Sequence, residues 1–164
     1  SQTDISNVKD QLILYMNNEH DFRGYVQKHG WAHSIAHASD TFEALVNSPK
    51  LETLYYEEIL QTLLNKVCVH SIYYKYEEDE RIVYSIVAML QNGLKEEALI
   101  LALRDLVVQL PVQKQTLHIE SYEFLYGNIK SFLRSLFFRL RKLSICEETE
   151  CEIEKLLQEL PKHY

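Results

Sequence analysis

Three side chains of the types that do chemistry stand close together in the first third of the chain: His33, His37 and Asp40. On a helix, spacings of four and seven residues put them in one row. An apolar stripe of Trp31, Ile35, Ala38, Phe42 and Leu45 runs along another face. Ala32, Ser34, Ala36, Ala38 and Ser39 surround the row, so a ligand or a second helix can come close. Histidines four apart on a helix chelate metals in H-E-x-x-H enzymes. No glutamate follows His33, so the general base of that motif is missing. His33 and Asp40 would lie roughly 10 Å apart along a helix axis rising 1.5 Å per residue. One ion with ligand bonds of roughly 2 Å cannot easily reach both. A divalent metal such as zinc would use His33 with His37, or His37 with Asp40, and take its other ligands from elsewhere.

Two further donors come into question. His70 shares a face with Ile59 and Leu63 and reads as a core-edge histidine. Asp79 shares a face with Ile82, Ile86 and Leu90, and a carboxylate on an apolar face needs a partner. Arg23 would supply one, or Asp79 would cap its own helix. Three readings follow. One is a hydrogen-bonded structural network of His33, His37, Asp40, Arg23 and Asp79. Another is a groove for an organic ligand or a protein partner. The third is a metal centre serving a hydrolase-like reaction.

The elements that must position these residues read as helices. In 164 residues there are only 4 glycines and 3 prolines, against roughly 20 at average usage. So few turn-formers argue against a sandwich or barrel and for long helices. Helical spacing and punctuation place helices at about Ile5–Asn18, Trp31–Val46, Leu51–His70, Glu77–Gln91, Lys95–Leu110, Ile119–Leu143 and Glu147–Leu160. Ser48-Pro49, Pro111 and Pro161 stop three of them. Asn92-Gly93 closes the fourth with a left-handed C-cap. The fifth carries Leu99, Ile100, Leu101, Leu103, Leu106, Val107 and Val108 on nearly every face and is expected to be packed on several sides. The sixth is expected to bend at Gly127. No segment alternates as a strand does. The expected fold is all-α over residues 1–164 as a single domain: stacked antiparallel helix hairpins forming an α-α superhelix, or an irregular bundle. Ser1 stands where an initiator methionine would, as expected of a cloning remnant or of a piece cut from a longer chain.

Three blocks in the first half resemble a bacterial domain family of unknown function. They are Arg23-Gly24, then Gly30-Trp31 with His33, His37 and Asp40, then Glu78-Asp79-Glu80-Arg81. The resemblance implies an all-helical domain similar to HEAT-type superhelices. The family has no established activity, so it assigns no catalytic roles. In such superhelices the second helix of each hairpin often lines the concave face, where a polar row would meet a groove. The candidate groove residues are therefore Arg23, Trp31, His33, His37, Asp40, Asp79 and Arg81.

Charge narrows the partners. Lys and Arg number 17 against 24 Asp and Glu, a formal charge of −7, which disfavours nucleic acid. Lys130, Arg134, Arg139, Arg141 and Lys142 form a basic edge, expected to pair with Glu147, Glu148, Glu150, Glu152 and Glu154 in a hairpin. Tyr73, Tyr74, Tyr76 and Tyr84 are expected to pack with their hydroxyls at the surface rather than bind a cation. The longest apolar stretch, Ala98–Leu110, is shorter than the ~20 residues of a membrane span. Cys68, Cys146 and Cys151 form no C-x-x-C pair, the usage of a reducing, cytoplasmic compartment. The four glycines exclude a glycine-rich phosphate loop. The function expected is a binding module for a protein or small molecule that requires no cofactor. The alternative is the metal-dependent hydrolase.

Overall fold

The computed structural model describes residues 2–160. It is built from helices: α1 (Gln2–Asn18), α2 (Ser34–Val46), α3 (Tyr56–Val67), α4 (Glu78–Gln91), α5 (Glu96–Val108), α6 (Leu110–Thr116), α7 (Ile119–Leu143) and α8 (Glu147–Glu159). A 3₁₀ turn, Thr53–Tyr55, precedes α3. One short antiparallel ribbon joins β1 (Tyr25–Val26) to β2 (Gly30–Trp31). The all-α expectation holds, and the bounds of the long α7 agree with its aromatic-aliphatic stripe.

Several boundaries differ for physical reasons. The second helix starts at Ser34, because Gly30 and Trp31 pair in the ribbon and His33 turns left-handed at φ 47°. Trp31 therefore leaves the apolar stripe, and it is exposed. Pro111 does not stop the fifth helix from outside. It stands in the first turn of α6, where its missing N–H has no helical partner to lose. α5 buries Leu99, Leu103, Leu106 and Val107 but leaves Leu101 and Val108 exposed, so it is not covered all round. α3 ends before His70, which is exposed rather than at the core edge. At Gly127 the absent Cβ admits the Tyr73 ring, whose Cε2 would lie 2.7 Å from it. The stop at Pro161 lies outside the described residues, as does Ser1.

Contacts run along two rows. α1, α3 and α5 neighbour one another in one, and α2, α4, α7 and α8 follow one another in the other. α3 touches helices of both rows, and α8 also packs on α5. Between the rows lies a connected apolar core whose largest fully buried members include Phe42, Phe132 and Met16. α2 and α4 approach closely through small residues. Ala36, Ala38, Ser39, Ser85 and Ala88 are buried, and Ser85 Oγ donates to Ser39 O at 2.7 Å. Small side chains around the histidine row thus serve a helix contact.

Charges pair differently from the expected hairpin. Arg139 on α7 donates to Glu80 at 3.0 Å and to Tyr84 Oη at 2.8 Å, both on α4. The acidic α8 instead receives Arg104 of α5, whose Nε donates to Glu152 at 2.6 Å. Glu96 accepts from the Thr149 amide and hydroxyl at the start of α8. Burial, with Glu96 and Glu150 nearby, pushes the Cys146 thiol up to about 11. Burial also raises Cys68. Neither favours a thiolate at neutral pH.

Two irregular segments matter most. The α3–α4 connection is clamped to α7 by Asn128, which is 1% exposed. Its Nδ2 donates to Val69 O and Ile72 O, and its Oδ1 accepts from Tyr74 N, all at 2.9 Å. Tyr74 is buried here, contrary to the surface expectation, and its hydroxyl donates to Lys66 O at 2.9 Å. The segment from Glu19 to His33 is tied to α3 by the buried Lys66, whose Nζ donates to Glu19 O at 3.1 Å over the Phe22 ring. Desolvation lowers the pKa of that ammonium. The two segments meet at Gly24, where a Cβ would strike the Tyr76 ring and lie 2.8 Å from Glu78 Oε1.

Two substitutions test these supports. Asn128→Ala leaves two carbonyls and one amide unpaired, at about 1–3 kcal/mol for each buried group. A urea midpoint equal to the parent's would refute the clamp, and Asn128→Asp, which turns a carboxylate oxygen toward the carbonyls of Val69 and Ile72, should cost at least as much. Gly24→Ala forces the segments apart and should cost about 1–3 kcal/mol, as overpacking does. Thermal melting checks it, and an unchanged or higher Tm would contradict the close approach.

Candidate functional site

The first wall of the site is the ribbon and the step into α2. β1 and β2 pair Tyr25 with Trp31 and Val26 with Gly30. The turn between them uses Lys28 at φ 69°, and Gly30, which opens β2, stands at φ 86°. The pairing continues beyond the strands, with Ala32 N donating to Gly24 O and His33 N to Arg23 O, at 2.9 and 3.0 Å. Ser34 Oγ fixes the start of α2 by donating to Asp21 O at 2.5 Å. The second wall is the end of the α3–α4 connection, Lys75–Tyr76–Glu77, followed by α4.

A buried carboxylate joins the walls. Glu78 is 2% exposed. Its Oε2 accepts from Tyr76 N at 2.8 Å, and its Oε1 lies 3.4 Å from His33 Nε2. The same imidazole nitrogen is 2.9 Å from Tyr76 O. A carbonyl can only accept, so Nε2 carries the proton, and a neutral ring keeps Nδ1 as an acceptor. His33 and Glu77, the residues just before α2 and α4, are both left-handed, at φ 47° and 64°. That conformation is uncommon for residues with a Cβ and costs of order 1–3 kcal/mol.

Between the walls lies a groove of about 590 Å³ lined by Trp31, His33, His37, Lys75, Tyr76, Glu77 and Arg81. Such a volume is in the range that holds a small ligand. Its aromatic members are in contact. The Trp31 ring sits 4.8 Å from His33 at a 30° tilt and meets Tyr25 and Tyr76 edge-on at 5.3 and 5.5 Å. The His37 ring meets His33 edge-on at 6.0 Å. Trp31 nevertheless remains 59% exposed. Arg81 Nη1 donates to both Asp40 oxygens at 3.0 and 2.8 Å, which holds the guanidinium and raises its pKa.

The candidates from the sequence divide accordingly. Trp31, His33, His37 and Arg81 line the groove, and Asp40 stands behind it as the partner of Arg81. Arg23 is turned away, exposed, and forked onto Asp21 at 2.7 Å. That pairing holds the Asp21 carboxyl down at about 2. Asp79 faces α7 and accepts from Ser135 Oγ at 2.7 Å, so neither Arg23 nor its own helix satisfies it. The expected five-residue network is thus divided into separate pairs, and the His37 side chain has no hydrogen bond among the described residues. Nor do three His, Cys, Asp or Glu side chains gather as a possible metal set among those residues. Asp40 is taken by Arg81, and the buried Glu78 accepts from an amide. Sequence reasoning missed Lys75, Glu77 and the placement of Tyr76. The one available signal was their position immediately before the Glu78-Asp79-Glu80-Arg81 block.

No helix among the described residues is long and apolar enough to cross a membrane. No curated protein and no solved structure matches the chain. The model of one family, described as protein of unknown function (DUF2785), matches residues 1–138 and so takes in both walls of the groove. The chain belongs to that family.

Proposed function

We propose that this protein is a binding module whose groove between the starts of α2 and α4 takes a small organic ligand. The observation that carries the reading is a contrast. The residues beneath the groove are satisfied, while Trp31, His37 and Lys75 at its mouth are left open. Strained left-handed residues on both rims support it, since such strain concentrates at functional sites. We read the two helix rows as a short HEAT-like superhelix forming one domain over residues 1–164, in a bacterial, cytoplasmic protein. On this reading no metal is required.

The single tryptophan makes the test direct. A mixed set of small fragments, titrated while amide and indole NMR signals are followed, should perturb residues 31, 33, 37, 75–77 and 81 together. Perturbations that consistently map to another face, or none at millimolar concentrations, would remove the groove as the binding site. Zinc or manganese should leave the Tm unchanged. A stabilising shift that disappears in His37→Ala would favour the metal-dependent hydrolase instead.

A further inference from the structure

We infer that the ligand of this groove is a small flat-ring compound carrying a negative charge, such as an aromatic carboxylate. The inference rests on the groove being the binding site and adds the chemistry of what it holds. Trp31 offers the ring a surface. One side of the indole is occupied by His33 at 4.8 Å, the edges of Tyr25 and Tyr76 touch it, and it remains 59% exposed. Tyr76 is 37% exposed on the opposite wall. A flat guest laid on the open part of the indole, beside the Tyr76 ring that already meets it, would gain ring contacts in offset or edge-on geometry.

The polar lining selects the sign of the charge. Lys75 makes no ion pair or hydrogen bond among the described residues and lines the groove. Arg81 spends Nη1 on Asp40, and its Nε and Nη2 have no hydrogen bond there. His37 adds an exposed imidazole that can donate. Against these donors the lining contains one carboxylate, Glu77. A cationic guest would meet one open acid, Glu77, beside the Lys75 ammonium and the free N–H edge of a guanidinium already balanced by Asp40. An anion would gain charge-assisted hydrogen bonds, which are roughly twice as strong as neutral ones. α2 has neither a side-chain cap nor an acid in its first turn, so its positive end adds in the same direction, whereas the start of α4 is already met by Glu78, Asp79 and Glu80. The chain as a whole carries −7, so this preference is local to the recess.

Three probes separate ring from charge: 4-hydroxybenzoate, benzylamine and cyclohexanecarboxylate, each titrated while the Trp31 indole N–H signal is followed. The aromatic anion should bind about tenfold more tightly than either other compound, a difference of about 1.4 kcal/mol. Lys75→Glu, at an exposed and unpaired site, should weaken 4-hydroxybenzoate at least tenfold and strengthen benzylamine. Trp31→Ala, followed through the amide signals of residues 75–77, should bring 4-hydroxybenzoate down to the level of cyclohexanecarboxylate. Tighter binding of benzylamine to the parent, or equal binding of all three, would overturn the assigned chemistry while leaving the groove as a binding site. Failure of all three to move the Trp31 signal overturns the assignment as well. The fragment titration then decides separately whether the groove binds anything.

Discussion

The site depends on one constraint: the carboxylate of Glu78 is out of water and must be satisfied where it lies. An uncompensated buried charge is too costly to keep in a stable fold. Here one oxygen takes the amide of Tyr76 and the other lies beside His33. Both partners belong to irregular segments, so satisfying the acid brings the segments together. The consequences spread outward. Gly24 must lack a side chain for the ribbon to pass over Tyr76 and Glu78. His33 and Glu77 must adopt left-handed backbone so that α2 and α4 can begin beside the same point. The groove is the space that this arrangement leaves above the acid.

The supports are arranged at increasing distance from that point. Asn128 presents both faces of its amide to the α3–α4 connection and fixes Tyr74, and with it the path to Tyr76. Ser85 and Ser39 lock α4 to α2. Asp79 and Glu80, which follow Glu78, reach Ser135 and Arg139 on α7. The three acids that open α4 thus have different partners, one beneath the groove and two on the neighbouring helix. Their grouping at a helix start suits the macrodipole, but their separate contacts explain why each is there.

How much of this was legible in the sequence varied with range. Helix spacing found α7 within its true bounds, because Ile129, Phe132, Leu133, Leu136 and Leu140 face the core regardless of what else the chain does. The three motif blocks also converge in space, through Gly24, His33, Asp40, Glu78 and Arg81. The start of α2 was misread because apolar spacing extended back to Trp31. The break is made by the ribbon and by His33, and neither has a periodic signature. Lys75 and Glu77 went unseen for a stronger reason. Their placement depends on the Asn128 amide, which holds the preceding Val69, Ile72 and Tyr74 from 54 to 59 residues further along the chain, and no local pattern encodes that. Pro111 shows the same limit at short range, since a proline suits the first turn of one helix as well as the end of another.

The distribution of satisfied and open groups is the remaining argument for function. If the polar residues near α2 were only structural, they should close upon one another. Most do: Asp40 with Arg81, Asp79 with Ser135, Arg23 with Asp21, and Glu78 with Tyr76. The groups left over are His37, Lys75 and much of the Trp31 surface, and they are not scattered. They share one recess with the free edge of Arg81. A surface lysine or an exposed tryptophan alone needs no explanation. Their assembly over a strained base, with the inner layer already satisfied, does, and the guest proposed above would supply the missing partner.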